Sequence, residues 1–105
     1  MATSAVVVLT TASSLSEARR ITSALLDQKF AACVSIMGLT ESHYVWKGKK
    51  EKIREHLLII KTRKNLFPKL EKAIRKIHSY ECPEILALPV SAGSEKYLDW
   101  IRKSV

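Results

Sequence analysis

Glycine and proline are scarce in this chain, three of each in 105 residues. That leaves little material for linkers and argues for one domain spanning residues 1–105. Cysteine is scarcer still. Two cysteines, Cys33 and Cys82, make no disulfide framework, and reduced thiols in the cytosol are expected. The longest purely apolar runs, such as Ala5 to Leu9, are far too short to cross a bilayer. No basic leader or small-residue cleavage site accompanies them, so no secretory signal is expected and the expected compartment is the cytoplasm. Low-complexity segments and internal repeats are absent. So are the glycine-rich phosphate loop, the nucleophile elbow and the HExxH pair. Glu55 and Glu84 stand as isolated carboxylates rather than an acid/base pair, and an enzyme is not expected.

What is present is an ordinary globular mixture, 47% apolar and 27% charged, which excludes disorder on compositional grounds. The net charge of +8 is unevenly placed. Residues 47–78 carry twelve lysines and arginines against three glutamates, so this segment nets more than the whole chain. Such a field attracts polyanions. Without an RNP-like strand or interleaved surface aromatics, however, the expected reading is a charged hairpin tip and a solvated helix face rather than a nucleic-acid site.

The pattern along the chain predicts alternating elements. "SAVVVLTT" (4–11) reads as a buried strand. "SLSE" places Ser14 and Glu17 at capping-box spacing, and Leu15, Ala18, Ile21 and Leu25 then predict a helix over about 15–28. "FAACVSIM" opens a second strand, with Cys33 as a small buried apolar residue. It continues past Gly38, a bulge signal, into "TESHYVW", where Thr40, Ser42, Tyr44 and Trp46 share one face. "KGKKEK" turns the chain and "IREHLLIIKTR" returns. Residues 31–46 would span roughly 50 Å when extended, more than so small a domain can cover, so the hairpin must project and its aromatics need a partner surface. Asn65 is the expected cap of a helix with Pro68 in its first turn. "EILALPV" follows as a strand that Pro89 assigns to an edge or a bulge rather than a fully paired central position, and "SEKYLDWIRK" as a closing helix. The order β-α-β-β-α-β plus a C-terminal helix is α+β and fits a ferredoxin-like sandwich with a long hairpin between its second and third strands.

"AACV-I", the Tyr-x-Trp-x-Gly of "YVWKG", the "IKT" of "LLIIKT", "H-YE-PEI", "LPV" and "YLDWI" occur in that order over about residues 5–102. Together they resemble the CutA family, small proteins linked to divalent-cation tolerance. The resemblance implies a homotrimer in which the long hairpins engage neighbouring subunits, with Tyr44, Trp46 and Trp100 at the contacts. It implies a role in metal response and, in copper-binding members, a site made of one cysteine and two successive histidines. At those positions this chain has Thr10, Ile77 and His78, so one ligand of the three is present, and Cu(I) or Cu(II) prefers thiolate or imidazole. No cofactor is expected to be required.

The stretch "HSYECPEI" (78–85) leaves two readings open. His78 and Cys82, with Glu81 or Glu84, could hold Cu or Zn. Alternatively His78 and Tyr80 bond across a turn while Cys82 fills space. His43 and His56 are expected as solvated ribbon residues, and Lys61 as an anion stabiliser or an ion-pair partner. A second class of function is a trimeric signalling protein of the PII type, taking a small anionic ligand in clefts between subunits; this rests on fold analogy.

Overall fold

The computed structural model describes residues 3–105. Its elements are β1 (Ala5–Ala12), α1 (Leu15–Asp27), β2 (Cys33–Trp46), β3 (Lys49–Arg63), a 3-10 turn (Lys64–Leu66), α2 (Phe67–Ile77), β4 (Leu86–Pro89) and α3 (Glu95–Ser104). The strands form one antiparallel sheet in the order β2-β3-β1-β4. β4 lies at an edge, where the proline ring of Pro89 removes no bond a central strand would need. No helix of the described residues is long and apolar enough to cross a membrane.

Alternation along the strands sorts the side chains onto two faces. Val6, Val8, Leu58 and Ile60 face α1 and α2, where Ile21, Leu25, Leu70 and Ile74 close over them. All of these are fully or almost fully buried, each large aliphatic contributing about 1.5–3 kcal/mol of transfer free energy. On the other face, α3 covers the β1–β3 centre in part, with Ile101 buried. Beyond it Met37, Leu86 and Leu88 stay about half exposed. Cys33 belongs to this second face, paired with Lys61. It is half-buried rather than sealed in the core, because its neighbours Val34 and Ile36 take the helix side.

β1 pairs with β3 only as far as Ala12 opposite His56. Residues 49–55 of β3 therefore pair with β2 alone and leave the body as a two-stranded ribbon roughly 23 Å long. The expected projection is present, and the longest dimension of the molecule is 44 Å against 28 and 24 Å. A register shift between Met37 and Thr40 marks the bulge foreseen at Gly38. The extra residue moves Thr40, Ser42, Tyr44 and Trp46 onto the face that carries Met37, Leu57 and Glu55. The turn is tighter than "KGKKEK" suggested: Trp46 pairs with Lys49, and Lys47 and Gly48 both have positive φ (51° and 80°), the two-residue geometry that suits a twisted hairpin.

Two capping expectations fare differently. Ser14 Oγ accepts from the Glu17 N–H at 3.1 Å, as the spacing predicts. Asn65 caps nothing. β1 holds the chain extended through Arg63, and the Lys64 N–H donates to the Ser4 carbonyl at 2.7 Å. Asn65 is thereby drawn into the 3-10 turn, and Leu66 stands at the head of α2 with no side-chain cap.

Candidate functional site

The ribbon leaves the sheet at a corner where β1 ends, α1 begins and α2 ends. Glu17, 2% exposed, ties these elements together. Its Oε1 accepts from the Ser13 N–H and Oγ, both at 3.1 Å, and its Oε2 accepts from the Ser79 N–H at 2.8 Å. It thus bonds to the residue before the cap rather than to the cap itself, and also to a loop 62 residues away. Burial alone pushes its pKa up. The bonds donated by Ser79 and Ser13 outweigh burial and bring it down to about 2, since each favours the charged form.

His78 lies beside this carboxylate with its side chain wholly buried. Its Nε2 is 2.6 Å from the Thr11 carbonyl and its Nδ1 is 3.0 Å from the Tyr80 N–H. A carbonyl only accepts and an amide N–H only donates, so the ring is neutral with its proton on Nε2. The 3.8 Å approach of Nδ1 to Glu17 Oε2 joins two acceptors and is not an ion pair. A metal at His78 would have to displace one of the two bonds. The bond across the turn to Tyr80 is as expected. Cys82 instead is exposed and fills no interior space.

Tyr80 donates its hydroxyl to Glu55 Oε2 at 2.7 Å. Burial, and then the bond and charge of Glu55, push the phenol above its usual pKa. This pair forms the floor of a cavity of about 600 Å³ between the ribbon and the 80–84 loop. Tyr44, Trp46, Ser42 and Ile53 supply the ribbon wall, and Glu81, Cys82 and Glu84 the loop wall. His43 reaches the rim, its Nε2 2.8 Å from Glu41 Oε2. Three carboxylates line the cavity and no lysine or arginine does. Its electrostatics favour a cation over an anion. Among the described residues no three His, Cys, Asp or Glu side chains converge closely enough to hold a metal ion.

The structure thus brings Tyr44, Trp46 and Cys82 to one cavity with His78 buried behind its floor, and leaves Trp100 apart. Trp100 stacks on Tyr97 on α3, ring centroids 5.5 Å apart; both residues are exposed, and the Tyr97 hydroxyl reaches Cys33 on β2. Thr10 is fully buried, with its Oγ1 lacking a hydrogen-bond partner, and Ile77 packs against the core. His56 is half-buried rather than solvated, since it is paired with Ala12 where the ribbon meets the body. Lys61 donates to Ser35 Oγ at 2.7 Å and makes no ion pair among the described residues. Sequence reasoning missed Glu17 and Glu55 as members of one corner. The usable signal was the capping-box glutamate itself, whose second oxygen needs a donor once it is buried.

Comparison with known proteins agrees with this architecture. The family model described as "CutA1 divalent ion tolerance protein" matches residues 6–104. The divalent-cation tolerance protein CutA of Thermus thermophilus is 43% identical over 93% of this chain and 95% of its own length. Protein CutA, chloroplastic, of Arabidopsis thaliana is 39% identical over 94% of this chain, and the match spans 54% of that longer protein. The crystal structure of CutA1 from Oryza sativa superposes with a TM-score of 0.94 at 38% identity, covering 99% of this chain and 95% of the other. The chain belongs to the CutA1 divalent ion tolerance family.

Proposed function

We propose that the chain acts in divalent-cation tolerance as a homotrimer of ferredoxin-like subunits. The strand order β2-β3-β1-β4 with two helices on one face supports the ferredoxin-like assignment. The observation that carries the assembly is the open face of the sheet: Met37, Leu86, Leu88, Trp100 and the ribbon's Tyr44 and Trp46 are each 41–56% exposed in the single chain. So many exposed large apolar side chains on one side of a small domain are a liability for a monomer. A symmetric trimer would cover it, with ribbons packed on neighbouring subunits.

The cavity is the proposed place of cation engagement. Cys82 is its softest donor, suited to copper or zinc, with Glu81, Glu84 and His43 as oxygen and imidazole donors. One subunit brings too few donors together, so neighbouring subunits would complete the site. His78 acts from behind as a positioning residue, holding the 78–80 turn against β1. The carboxylate lining favours this reading over a small anionic effector. The free thiols Cys33 and Cys82 fit the cytoplasm as the proposed compartment.

Sedimentation equilibrium tests the assembly and calorimetric titration of Cu(II) and then Zn(II) tests the cation. The expected results are a mass near three chains, weakened association in Trp46→Ala, and metal binding of fixed stoichiometry that is lost in Cys82→Ser. A stable monomer would sink the first part, and metal binding indifferent to Cys82→Ser would sink the second.

A further inference from the structure

The basic residues of segment 47–78 look scattered in sequence, but the strand register gathers many of them on one side. Leu58 and Ile60 face the helices, and β3 continues without a shift of its own into the ribbon. Alternation therefore puts Arg54, Lys52 and Lys50 on the helix side, past the end of the helical layer. The opposite side of the same ribbon carries Trp46, Tyr44, Glu51 and Glu55, with Lys49 as its one cation from β3. The ribbon is thus two-faced, aromatic and acidic towards the cavity, basic towards the helices.

The helices present cations at the same corner. His78, the residue after α2, bonds the end of β1 through Thr11, and Glu17 in the first turn of α1 bonds Ser79. The end of α2, with Lys72, Arg75 and Lys76, and the start of α1, with Arg19 and Arg20, therefore flank the root of the ribbon. All eight side chains are exposed. Among the described residues their sole ion pair is Arg75 with Glu71 at 3.5 Å. Glu41 lies across from Arg54 in the register but is engaged with His43. None of the eight lines the cavity.

We propose that this basic step, the helix side of the ribbon together with the adjoining ends of α1 and α2, binds the phosphate backbone of duplex DNA without reading its sequence. Three arguments select this partner. The cations form an extended array rather than a convergent pocket, which suits a polymer better than a small anion. Lys50, Lys52 and Arg54 repeat every two residues, about 6.8 Å, close to the roughly 7 Å between successive phosphates of one DNA strand, which rise 3.4 Å and turn about the axis at each step. The cations also lie on three elements, the ribbon and two helices, rather than in one line, which suits the two phosphate rows of a duplex better than the single row of one strand. An anionic membrane is disfavoured because the bulky exposed rings, Tyr44 and Trp46, lie on the other side of the ribbon, leaving the basic side with the aliphatic Val45 and Leu39 but, among the described residues, no exposed aromatic ring to insert. The absence of base-reading motifs is no objection, since backbone binding requires none.

The test is fluorescence anisotropy with a labelled random-sequence duplex across a salt series, on the full chain in its native assembly. Four or more phosphate contacts predict a slope of log affinity against log salt of about −3.6 or steeper. The variant K50Q/K52Q/R54Q should lower affinity at least about tenfold and flatten the slope by about 0.9 for each contact removed. K72Q/R75Q/K76Q, on a separate element, should do the same in part, which guards against a ribbon variant that merely misfolds. K96Q/R102Q/K103Q on α3, across the sheet, should change neither quantity. No binding at low salt, equal losses in the α3 variant, or binding to phosphatidylserine vesicles matching that to the duplex would each overturn the proposal.

Discussion

The two faces of the sheet are built from similar side chains and end in opposite conditions. On the helix side Val8, Leu58 and Ile60 are completely buried, while on the other side Leu86 and Leu88 remain 56% and 48% exposed. The difference lies in what each face is given to cover it. α1 and α2 form a continuous roof, whereas α3 is one short helix across part of the opposite side. A single chain therefore completes one core and leaves a second half-made.

Truncation separates the two faces most strongly. Leu58→Ala should lower the unfolding free energy by about 3 kcal/mol, through lost transfer energy plus the cavity left behind, and by the same amount at low and high protein concentration. Leu86→Ala, at a half-exposed site, should cost the subunit itself well under about 1 kcal/mol and act mainly on association. Denaturant titrations at two protein concentrations check both. If Leu86→Ala proved as costly as Leu58→Ala at every concentration, the open face would already be packed within one chain and the contrast would fail.

The corner where α1 meets α2 sharpens the comparison by pH. Glu17 titrates at about 2 in the folded chain against 4.5 for the free group. A depressed carboxylate stabilises the fold fully above the unfolded pKa, and that stability is lost as pH falls from about 5 to 2. The site is buried, so the linkage of about 1.36 kcal/mol per pKa unit gives a contribution on the order of 3 kcal/mol. Glu17→Gln should reduce stability at neutral pH and flatten the curve across that acid window. A variant that kept the same acid slope as the parent would show that another carboxylate carries it.

How much of this could be read beforehand depends on the sequence distance over which each interaction closes. The α1 cap, the alternation of Thr40 to Trp46 and the edge position of Pro89 are local, and all are present. Leu15 has the right spacing for the apolar face of α1 yet is 37% exposed, because the first turn overhangs the roof. Asn65 failed as a cap because β1, far away in sequence, holds the chain extended through Arg63. The cavity was half legible: the ribbon aromatics and Cys82 stood out, but the pairing of Tyr80 with Glu55 spans 25 residues and leaves no local trace. Charge showed the reverse. Its amount was plain in the sequence, whereas its gathering on one side of the ribbon follows only from register.

The smallest expected effect concerns the two glycines of the hairpin, which look alike in sequence and differ in structure. Gly48 has φ of +80° in the tight turn, where an L side chain is strained, so Gly48→Ala should cost about 1 kcal/mol. Gly38 marks the bulge, yet its φ is ordinary and an added Cβ would meet nothing within 4 Å. The register shift beside it therefore does not need glycine for backbone reasons, and Gly38→Ala should change stability by no more than about 0.5 kcal/mol. Equilibrium denaturation of the two variants side by side decides the point. A large loss at Gly38 would mean that its bare backbone faces a surface outside the subunit, and the half-made side of the molecule would then extend from the sheet into the ribbon.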